Sequence, residues 1–517
     1  MIENLTPILV GGGQFTDGQK AAQRHRSPMD LAAISAEAAI ADTGLSKLSR
    51  SLLIKAIDTI AVVRLFSDSH NRPRMSSSFG RARNPPRSIA RRIGAEPTNS
   101  IYGSIGGNTP QKFVNEMAQR ISEGDVGIVL LAGAEAIRTT RHALREGITL
   151  DWEESSFGSL EDRGQGETIT NAHELAHGVG IPINTYPLFE QAIRGELGHN
   201  VKEHLAYMGS IFASFSEVAA DNPFAMYRTL RKAKELAAIT QDNPFVGFPY
   251  PKFMNAMENV NQSASVIMMS VGKARDLGID PRKWVFLHGC AEANDKLLPL
   301  ERIDYHSSPA MDETFNRAFA MASLDVGAID YFDLYSCFPA AVEIACKSLK
   351  IDVFDKRGLT LTGGLPFFGG PGNNYSMHAI VEIMKKLRGN RQAFGMITAN
   401  GGCLTKHAAG IYSAIPTSGV WEREKVSNYQ LRLDDIASPE ITMTPQGEST
   451  VETYTVVHKK GEPELGIVIA REKLSGRRFV SNTANKSGIL DAMLDQDFLG
   501  KSGFVNNADG KNIISFL

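Results

Sequence analysis

The chain has 517 residues, of which 42% are hydrophobic and 22% charged, a composition typical of a folded protein with about two to four domains. Its 55 basic and 57 acidic side chains give a formal net charge of -2, so we expect neither nucleic acid nor an anionic membrane as a partner. No apolar run reaches the roughly 18 residues that cross a bilayer. The first residues also lack the features of a signal peptide, and we expect a cytoplasmic protein.

The chain contains four cysteines, which are Cys290, Cys337, Cys346 and Cys403. They are too few for a disulfide framework in so long a chain, and no C-x-x-C pair indicates zinc. We therefore predict neither a disulfide framework nor a metal site.

In the first part of the chain, strand-like and helix-like segments alternate. Short apolar runs indicate strands, and longer runs with helical spacing, several of them opened by proline, indicate helices. Strands separated by helices imply βαβ crossovers and a largely parallel sheet covered on both faces. We predict strands at 7–13, 60–66, 98–102 and 126–131, and helices at 28–42, 85–93 and 110–121.

Between about 140 and 245 the pattern loosens into helices with prolines and many polar residues, as expected of an insertion over a core. The sheet pattern returns at 261–270, and a second strand-helix series runs from 284 to about 415. This repetition predicts an α/β fold with two similar halves. The second half contains predicted strands at 284–289 and 392–398, helices at 311–322 and 378–387, and a glycine-rich loop at 363–372.

A strand-to-helix turn at 329–349 carries three chemically interesting residues, Tyr335, Ser336 and Cys337. Apolar residues lead up to the turn, and Pro339 opens a run with helical spacing. A helix start offers unpaired backbone N–H groups and the positive end of the helix dipole, which favour a thiolate or an oxyanion. The turn is therefore a candidate active site, although its cysteine is equally well explained as a small buried hydrophobe.

Three motifs carry a family resemblance: Tyr335-Ser-Cys-Phe338, Gly369-Gly-Pro-Gly-Asn-Asn-Tyr-Ser-Met-His-Ala379 and Thr398-Ala-Asn-Gly-Gly-Cys-Leu-Thr-Lys-His-Ala408. They resemble the characteristic loops of the thiolase superfamily. The resemblance points to bacterial thiolase-like proteins of type 1, which are related to sterol-carrier-type thiolases and carry an additional C-terminal domain. It implies a thiolase fold, in which two βαβ halves form a five-layered α-β-α-β-α body with a helical insertion and a small C-terminal β-barrel-like domain. The implied domains are 1–275, 276–420 and 421–517.

The resemblance also shows which catalytic groups this sequence lacks. Thiolases use a cysteine nucleophile, a second cysteine as acid and base, a Gly-His-Pro histidine, and an Asn or His in an oxyanion hole. The resemblance places these four positions at Gly107, at Asn400 or nearby, at Gly370 and at Tyr335. Because none of the four supplies the expected group, we expect no standard thiolase cycle.

Replacement groups lie on the same loops. A cysteine near a histidine is the minimum for covalent acyl transfer, and Cys337, Cys403 and His407 are on loops that the family brings to one pocket. His378 is a weaker candidate. The candidate catalytic residues are Cys337, His407, Tyr335, Asn400 and Cys403, and the glycines expected to approach CoA are Gly369, Gly370, Gly401 and Gly402.

Two functions stay open for this site. The first is an acyltransferase that acts on acyl-CoA thioesters with a relocated catalytic set, and the second is an acyl-CoA-binding homologue without the chemistry. In both, CoA or acyl-CoA is the substrate or ligand, and we expect no other cofactor. The sterol-carrier-type thiolases carry a cysteine at the place of Cys337 without using it as the nucleophile.

A motif of another class lies at 173–177, where His-Glu-Leu-Ala-His matches the H-E-x-x-H of zinc peptidases, with Glu196 as a possible third ligand. Gly178, Gly180 and Pro182 break the helix directly after the motif. A zinc peptidase is therefore a remote alternative.

The segment from about Trp421 reads as a separate small β domain, because short alternating strands follow one another without crossover helices. It lacks the clustered positive charge that nucleic acid would need. We expect it to shield the body or to hold a protein or acyl-carrier partner. Its predicted strands are 451–458, 465–471, 478–481 and 513–516.

Overall fold

The computed structural model describes residues 2–18, 24–69, 78–484, 488–508 and 510–516. The strands are β1 (Pro7–Thr16), β2 (Thr59–Val62), β3 (Asn99–Tyr102), β4 (Ile128–Ala136), β5 (Glu161–Asp162), β6 (Phe245–Gly247), β7 (Tyr250–Pro251), β8 (Asn261–Ser270), β9 (Val285–Asn294), β10 (Tyr331–Asp333), β11 (Phe394–Gly401), β12 (Lys406–Ser413), β13 (Gly447–Lys459), β14 (Glu462–Glu472), β15 (Arg478–Thr483), β16 (Ser502–Ala508) and β17 (Lys511–Ser515). The α-helices are α1 (Pro28–Asp42), α2 (Lys47–Ala56), α3 (Pro85–Ile93), α4 (Thr109–Ser122), α5 (Ile137–Glu146), α6 (Ala172–Ala176), α7 (Pro182–Leu197), α8 (Val201–Asp221), α9 (Ala233–Ala237), α10 (Val271–Asp276), α11 (Pro309–Ala322), α12 (Pro339–Leu349), α13 (Tyr375–Gly389), α14 (Ser427–Asp434) and α15 (Ile489–Asp495).

One ten-stranded sheet contains both halves, in the order β10-β11-β12-β9-β1-β8-β4-β2-β3-β5. The two halves meet where Ile8 and Leu9 of β1 pair with Phe286 and Val285 of β9. β2 is parallel to β3 and β4, and β10 is parallel to β11, but β8 and β12 are antiparallel to both of their neighbours. The expectation of a largely parallel sheet was wrong, because β12 returns from β11 through a short turn and not through a crossover helix.

The helices form three layers around the two halves of the sheet. α4 and α13 pack against strands of both halves and against each other, so they form the central layer. α1 and α3 cover the outer face of the first half, and α11 covers the outer face of the second half and packs on α12. This arrangement is the predicted five-layered body, and it explains why whole strands are apolar. In β1, for example, Ile8 and Val10 join the outer core while Leu9 joins the central core.

Several element boundaries follow directly from local sequence signals. α1 spans the predicted residues because Ser27 and Asp30 form a capping box and Pro28 occupies the first turn. α3 ends where Gly94 adopts a left-handed φ of 79°. β11 extends three residues beyond its predicted end, to Gly401, and therefore includes Asn400.

The C-terminal region forms a closed five-stranded barrel of β13, β14, β15, β17 and β16, because β13 also pairs with β14. β16 was not predicted from the sequence. The helical insertion contributes β6 and β7 to the edge of this sheet, and Thr453 Oγ1 of β13 donates to Leu188 O of α7 at 2.6 Å. Trp421 instead donates to Leu287 O of the second half at 2.7 Å. The three domain boundaries stay predictions.

Candidate functional site

Two helix starts meet at the candidate site. α4 begins at Thr109, directly after Gly106, Gly107 and Asn108, and α12 begins at Pro339, after the turn that follows β10. The predicted turn with Tyr335 and its neighbours is therefore present between a strand and a helix. Both helices carry a proline in the first turn, and neither helix has a hydrogen bond from its N-cap side chain.

Gly107 and Tyr335 are in direct contact across this junction. A Cβ atom at position 107 would overlap the Tyr335 hydroxyl and would lie 2.5 Å from the carbonyl oxygen of Asn400. Such distances to a Cβ do not occur in folded proteins, so both groups would have to move. Position 107, where the family resemblance places the nucleophile, therefore has no room for a cysteine while Tyr335 fills the space.

Tyr335 is held in this place from several sides. Its side chain is buried, its backbone N–H donates to Thr398 Oγ1 at 2.9 Å, and its ring packs edge-on against Tyr375 with 5.5 Å between centroids. Burial raises the pKa of Tyr335 well above the usual value for tyrosine. The phenol is therefore neutral at physiological pH and remains a hydrogen-bond donor.

The hydroxyl of Tyr186, on α7 of the helical insertion, connects most of the candidate residues. It accepts a hydrogen bond from Asn400 Nδ2 at 2.9 Å and one from Leu404 N at 3.3 Å, and it donates to Gly402 O at 3.3 Å. Its ring stacks on Phe338, the residue after Cys337, with 4.3 Å between the ring centroids. The structure thus brings Cys337, Asn400 and the loop of Gly402 together around one tyrosine that is not on any of the three family loops.

Cys337 lies just before α12, yet its surroundings do not favour a thiolate. Burial raises the pKa of Cys337 to about 12, because desolvation penalises the thiolate more than the neighbouring polar groups stabilise it. The helix start was expected to favour ionisation, but desolvation outweighs it, so the side chain is a thiol at neutral pH.

Cys403 and His407 follow β11, but they do not form a catalytic pair. Burial raises the pKa of Cys403 to about 12, and its Sγ lies 4.0 Å from Gly180 O. His407 Nε2 lies 3.2 Å from Ser308 Oγ and 3.5 Å from Asp295 Oδ2. Within the described part of the chain, neither Cys337 nor Cys403 hydrogen-bonds to His407, so the predicted cysteine-histidine unit is not assembled in this conformation.

The network around His407 is a buried ionic cluster. Burial opposes ionisation of Asp295, but the charge of Arg302, whose Nη1 lies 2.9 Å away, and the hydrogen bond with His407 hold the pKa of Asp295 below its usual value. Arg302 also donates to Leu404 O at 2.6 Å. These contacts fix the turn between β11 and β12, which indicates a positioning role for His407.

The glycine loop at 369–372 borders the site through its backbone. Gly369 has a φ of 117°, and a Cβ there would lie 2.6 Å from Gln262 Oε1, so this position requires glycine. Gly370 is different, because a Cβ there would meet no atom closer than 3.6 Å. Its N–H donates to Met257 O at 2.8 Å. The family histidine is thus missing at a position that has room for a side chain.

His378, the weaker candidate, lies away from the thiols. Its Nδ1 is 2.8 Å from Gln14 Oε1 of β1, and burial lowers the pKa of His378 to about 3. The ring is therefore neutral throughout the physiological range. This places His378 in the packing between α13 and β1.

Asparagine side chains supply the free polar groups of the site. Asn108 and Asn400 are 5% and 3% exposed, and their side-chain oxygens have no hydrogen-bond partner among the described residues. A Cβ on Gly401 would lie against Asn108 Oδ1, which places the end of β11 beside the start of α4. Buried polar atoms without partners are costly, so a polar ligand or water at this junction would be stabilised.

The H-E-x-x-H motif is not arranged as a zinc site. His177 Nε2 accepts a hydrogen bond from Asn512 N at 3.0 Å, and Glu174 accepts from Leu300 N at 2.9 Å. Glu196 binds Lys347 Nζ at 2.6 Å on the exposed end of α7. The motif therefore anchors the C-terminal barrel to the insertion, and the residues described do not support the peptidase alternative.

Comparison with solved structures decides the family. The crystal structure of a monomeric SCP2-thiolase like protein type 1 from Mycobacterium smegmatis matches with 34% identity, a TM-score of 0.84, and coverage of 100% of both chains. The chain belongs to this family. The family model of the additional C-terminal domain of thiolase-like protein type 1 matches residues 428–511 of this chain, a range that contains β13 to β16. The predicted family and its extra domain are thus confirmed.

Two more distant structures share the fold of this chain. An acetyl-CoA acetyltransferase from Syntrophomonas wolfei is 16% identical, with a TM-score of 0.56 over 80% of this chain and 100% of its own. The dimeric peroxisomal thiolase of Saccharomyces cerevisiae is 14% identical, with a TM-score of 0.58 over 80% of this chain and 98% of its own. No curated protein matches the chain. In the part of the chain that the structure describes, no helix is long and apolar enough to cross a membrane.

Proposed function

We propose that this protein binds an acyl-CoA thioester where the starts of α4 and α12 meet, and that it does not perform the thiolase cycle. The observation that carries the proposal is the contact between Tyr335 and Gly107, because the phenol occupies the place of the acyl-accepting side chain. Claisen condensation requires an acyl acceptor and a base for the α-proton. Neither is available here, since both nearby thiols have raised pKa values and His407 is engaged with Asp295.

Binding is supported by the polar groups that the site retains. The side-chain oxygens of Asn108 and Asn400 are buried without partners, and the neutral phenol of Tyr335 is a hydrogen-bond donor. A thioester with its adjoining amide offers both a carbonyl acceptor and an N–H donor for such groups. The acetyl-CoA acetyltransferase among the fold neighbours is named for a substrate of this class.

The binding test is a titration of the purified protein with CoA, acetyl-CoA and longer acyl-CoA, followed by calorimetry and melting temperature. We expect an acyl-CoA to raise the melting temperature, because it binds the native state only. Asn400→Leu removes the amide without changing the volume much and should weaken binding, whereas Asn390→Leu at the exposed end of α13 should not. Absence of any shift at saturating ligand, for every chain length, would refute the proposal.

A second candidate function is acyl transfer through Cys337, and it is favoured by the position of this residue directly before the start of α12, beside Phe338, whose ring stacks on Tyr186. Attack of the sulfur on the thioester carbonyl would form an acyl-cysteine and break the bond to the CoA sulfur. The proton of the Cys337 thiol would end on that sulfur, so CoA would leave as the free thiol. Incubation with acyl-CoA and measurement of the intact mass detect such an adduct. Loss of the adduct in Cys337→Ser, with retention in the buried control Cys290→Ser, would establish this function in place of simple binding.

A further inference from the structure

Three metal-ligating side chains meet in the interior, outside the candidate acyl-CoA site. Glu190 lies on α7, His204 on α8 and Glu343 on α12. The nearest ligand atoms of the three all lie within 4.8 Å of one another. Glu190 and His204 are 0% exposed and Glu343 is 6% exposed, so the group is separated from bulk water.

The charges of this group are not balanced by protein side chains. No lysine or arginine among the described residues forms an ion pair with either carboxyl group, and Glu190 Oε1 instead lies 2.6 Å from His204 Nε2. Both carboxylate oxygens of Glu343 are buried and receive no hydrogen bond from a donor. Two buried carboxylates that face each other repel strongly unless a cation or a proton lies between them.

The outer contacts orient two of the three groups. Tyr250 Oη donates to Glu190 Oε2 at 2.6 Å, which leaves Oε1 facing His204. On the other side of the imidazole, His204 Nδ1 lies 3.3 Å from His199 Nδ1. Metal-binding carboxylates and imidazoles are commonly held in this way by a second set of hydrogen bonds.

We propose that Glu190, His204 and Glu343 bind one divalent transition-metal ion of the class of Zn²⁺ or Mn²⁺. Two carboxylate oxygens and one imidazole nitrogen are a ligand set that these ions accept, and the double positive charge balances the two carboxylates. A bound ion would give the buried carboxylate oxygens of Glu343 the partner that they lack among the hydrogen-bond donors of the described residues.

The ion has a structural role in this arrangement, because its ligands come from the helical insertion and from the helix that follows the Cys337 turn. α7 carries both Glu190 and Tyr186, one helical turn apart, and α12 carries Glu343. A bound ion would therefore fix the position of the Tyr186 hydroxyl relative to the Cys337 thiol. The competing arrangement is a proton shared by Glu190 and Glu343, which needs no metal.

The test uses tag-free full-length protein that has been dialysed against a chelator and then against buffer with ZnCl₂ or MnCl₂. We expect elemental analysis to find one ion per chain after removal of free metal, and a higher melting temperature than that of the stripped protein. The variant Glu343→Gln keeps the size of the side chain but removes its charge, and it should lose both the ion and the melting-temperature shift.

Two controls keep the result interpretable. His173→Ala removes a histidine of the H-E-x-x-H motif and should retain the ion, which separates the proposed site from that motif. If Glu343→Gln fails to fold, the metal content and the melting-temperature shift of the wild-type protein still decide whether the protein binds an ion. The proposal would be overturned if the wild-type protein bound neither Zn²⁺ nor Mn²⁺, or if the ion were lost in His173→Ala but retained in Glu343→Gln. A proton shared by Glu190 and Glu343 would then explain the cluster.

Discussion

Gly107 and Gly370 both stand where the family resemblance places a catalytic side chain, but their surroundings are opposite. At Gly107 an added Cβ would overlap the Tyr335 hydroxyl and come within 2.5 Å of the Asn400 carbonyl. At Gly370 the nearest atoms would be 3.6 Å away, which is ordinary van der Waals distance. The nucleophile position is therefore blocked by its neighbours, whereas the histidine position is merely without a side chain.

This difference determines what a catalytic side chain at each position would require. At position 370 a single substitution can restore a side chain without changing the fold. At position 107 a restored cysteine would also require a smaller residue at 335 and a shift of the backbone at 400. Tyr335 and the backbone at 400 thus exclude a larger residue at position 107, whereas no neighbour excludes one at position 370.

The largest change in stability is expected from Gly107→Ala. We expect it to lower the free energy of unfolding by about 1–3 kcal/mol, because overpacking a rigid core forces its neighbours out of position. Gly370→Ala, the matched control, should change it by less than about 1 kcal/mol, as substitutions without such clashes usually do. Urea unfolding followed by circular dichroism measures both variants. Equal stabilities would mean that the two positions do not differ as described.

Combining Gly107→Ala with Tyr335→Phe tests which neighbour blocks the position. Removal of the hydroxyl relieves one overlap, but the ring carbon that carried it stays 2.8 Å and the Asn400 carbonyl oxygen 2.5 Å from the new Cβ. We therefore expect the double variant to recover only part of the lost stability in the same unfolding experiment. Full recovery would show that the hydroxyl alone closes the site.

A smaller effect is expected from Tyr186→Phe, which removes the hydroxyl shared by Asn400, Leu404 and Gly402. Loss of these hydrogen bonds should cost about 1–2 kcal/mol, because the buried groups left behind lose their partner. Tyr331→Phe loses only an exposed hydrogen bond from Asn390, 3.3 Å long, and should be nearly neutral. If the two variants unfold at the same urea concentration, Tyr186 does not hold the site together.

The smallest effect concerns pH and the loop of Gly370. That loop rests on Glu135 at the end of β4, where a Cβ on Gly372 would overlap the carboxylate. Burial raises the pKa of Glu135 from 4.5 to about 8, although the Phe66 N–H, 2.6 Å from Oε1, opposes the shift. A raised pKa means that stability is fully present below about pH 4.5 and is lost as the pH rises through 8.

Glu135→Gln should therefore melt at about the same temperature as the wild type at low pH and about 2–4 °C higher above pH 8. The amide oxygen still accepts the Phe66 N–H, so the difference reports on the charge. Glu37→Gln on the exposed face of α1 serves as the control and should show no such pH dependence. A difference that does not change with pH would exclude Glu135 as the titrating group.

The parts of this structure that sequence patterns predicted are those with local causes. α1 was predicted to the residue because Ser27, Pro28 and Asp30 mark its start within one turn. The strand at 261–270 was predicted equally well, since all ten of its residues are buried. β16 was missed because only two of its seven residues are buried, so no strong pattern distinguishes it from a loop.

The candidate site was predicted only in part, because its central contact is not local. Tyr186 and Asn400 are 214 residues apart, and nothing around Tyr186 indicates that its hydroxyl reaches the turn after β11. The cysteines and His407 were recognised through their loops, but their protonation and pairing depend on burial, which sequence spacing does not give. Sequence spacing also does not predict the contact between Glu190 and Glu343, because these residues meet only after α7 and α12 have packed.

The hydrogen bond from Asn512 to His177 has a consequence for how the protein is made. The two residues are 335 positions apart, so the insertion leaves the ribosome long before its partner strands in the barrel exist. At about 5–20 residues per second, the insertion waits for roughly 20–70 s. During that interval β6, β7 and the barrel-facing side of α7 are uncovered, which makes this surface a candidate for chaperone binding on the nascent chain.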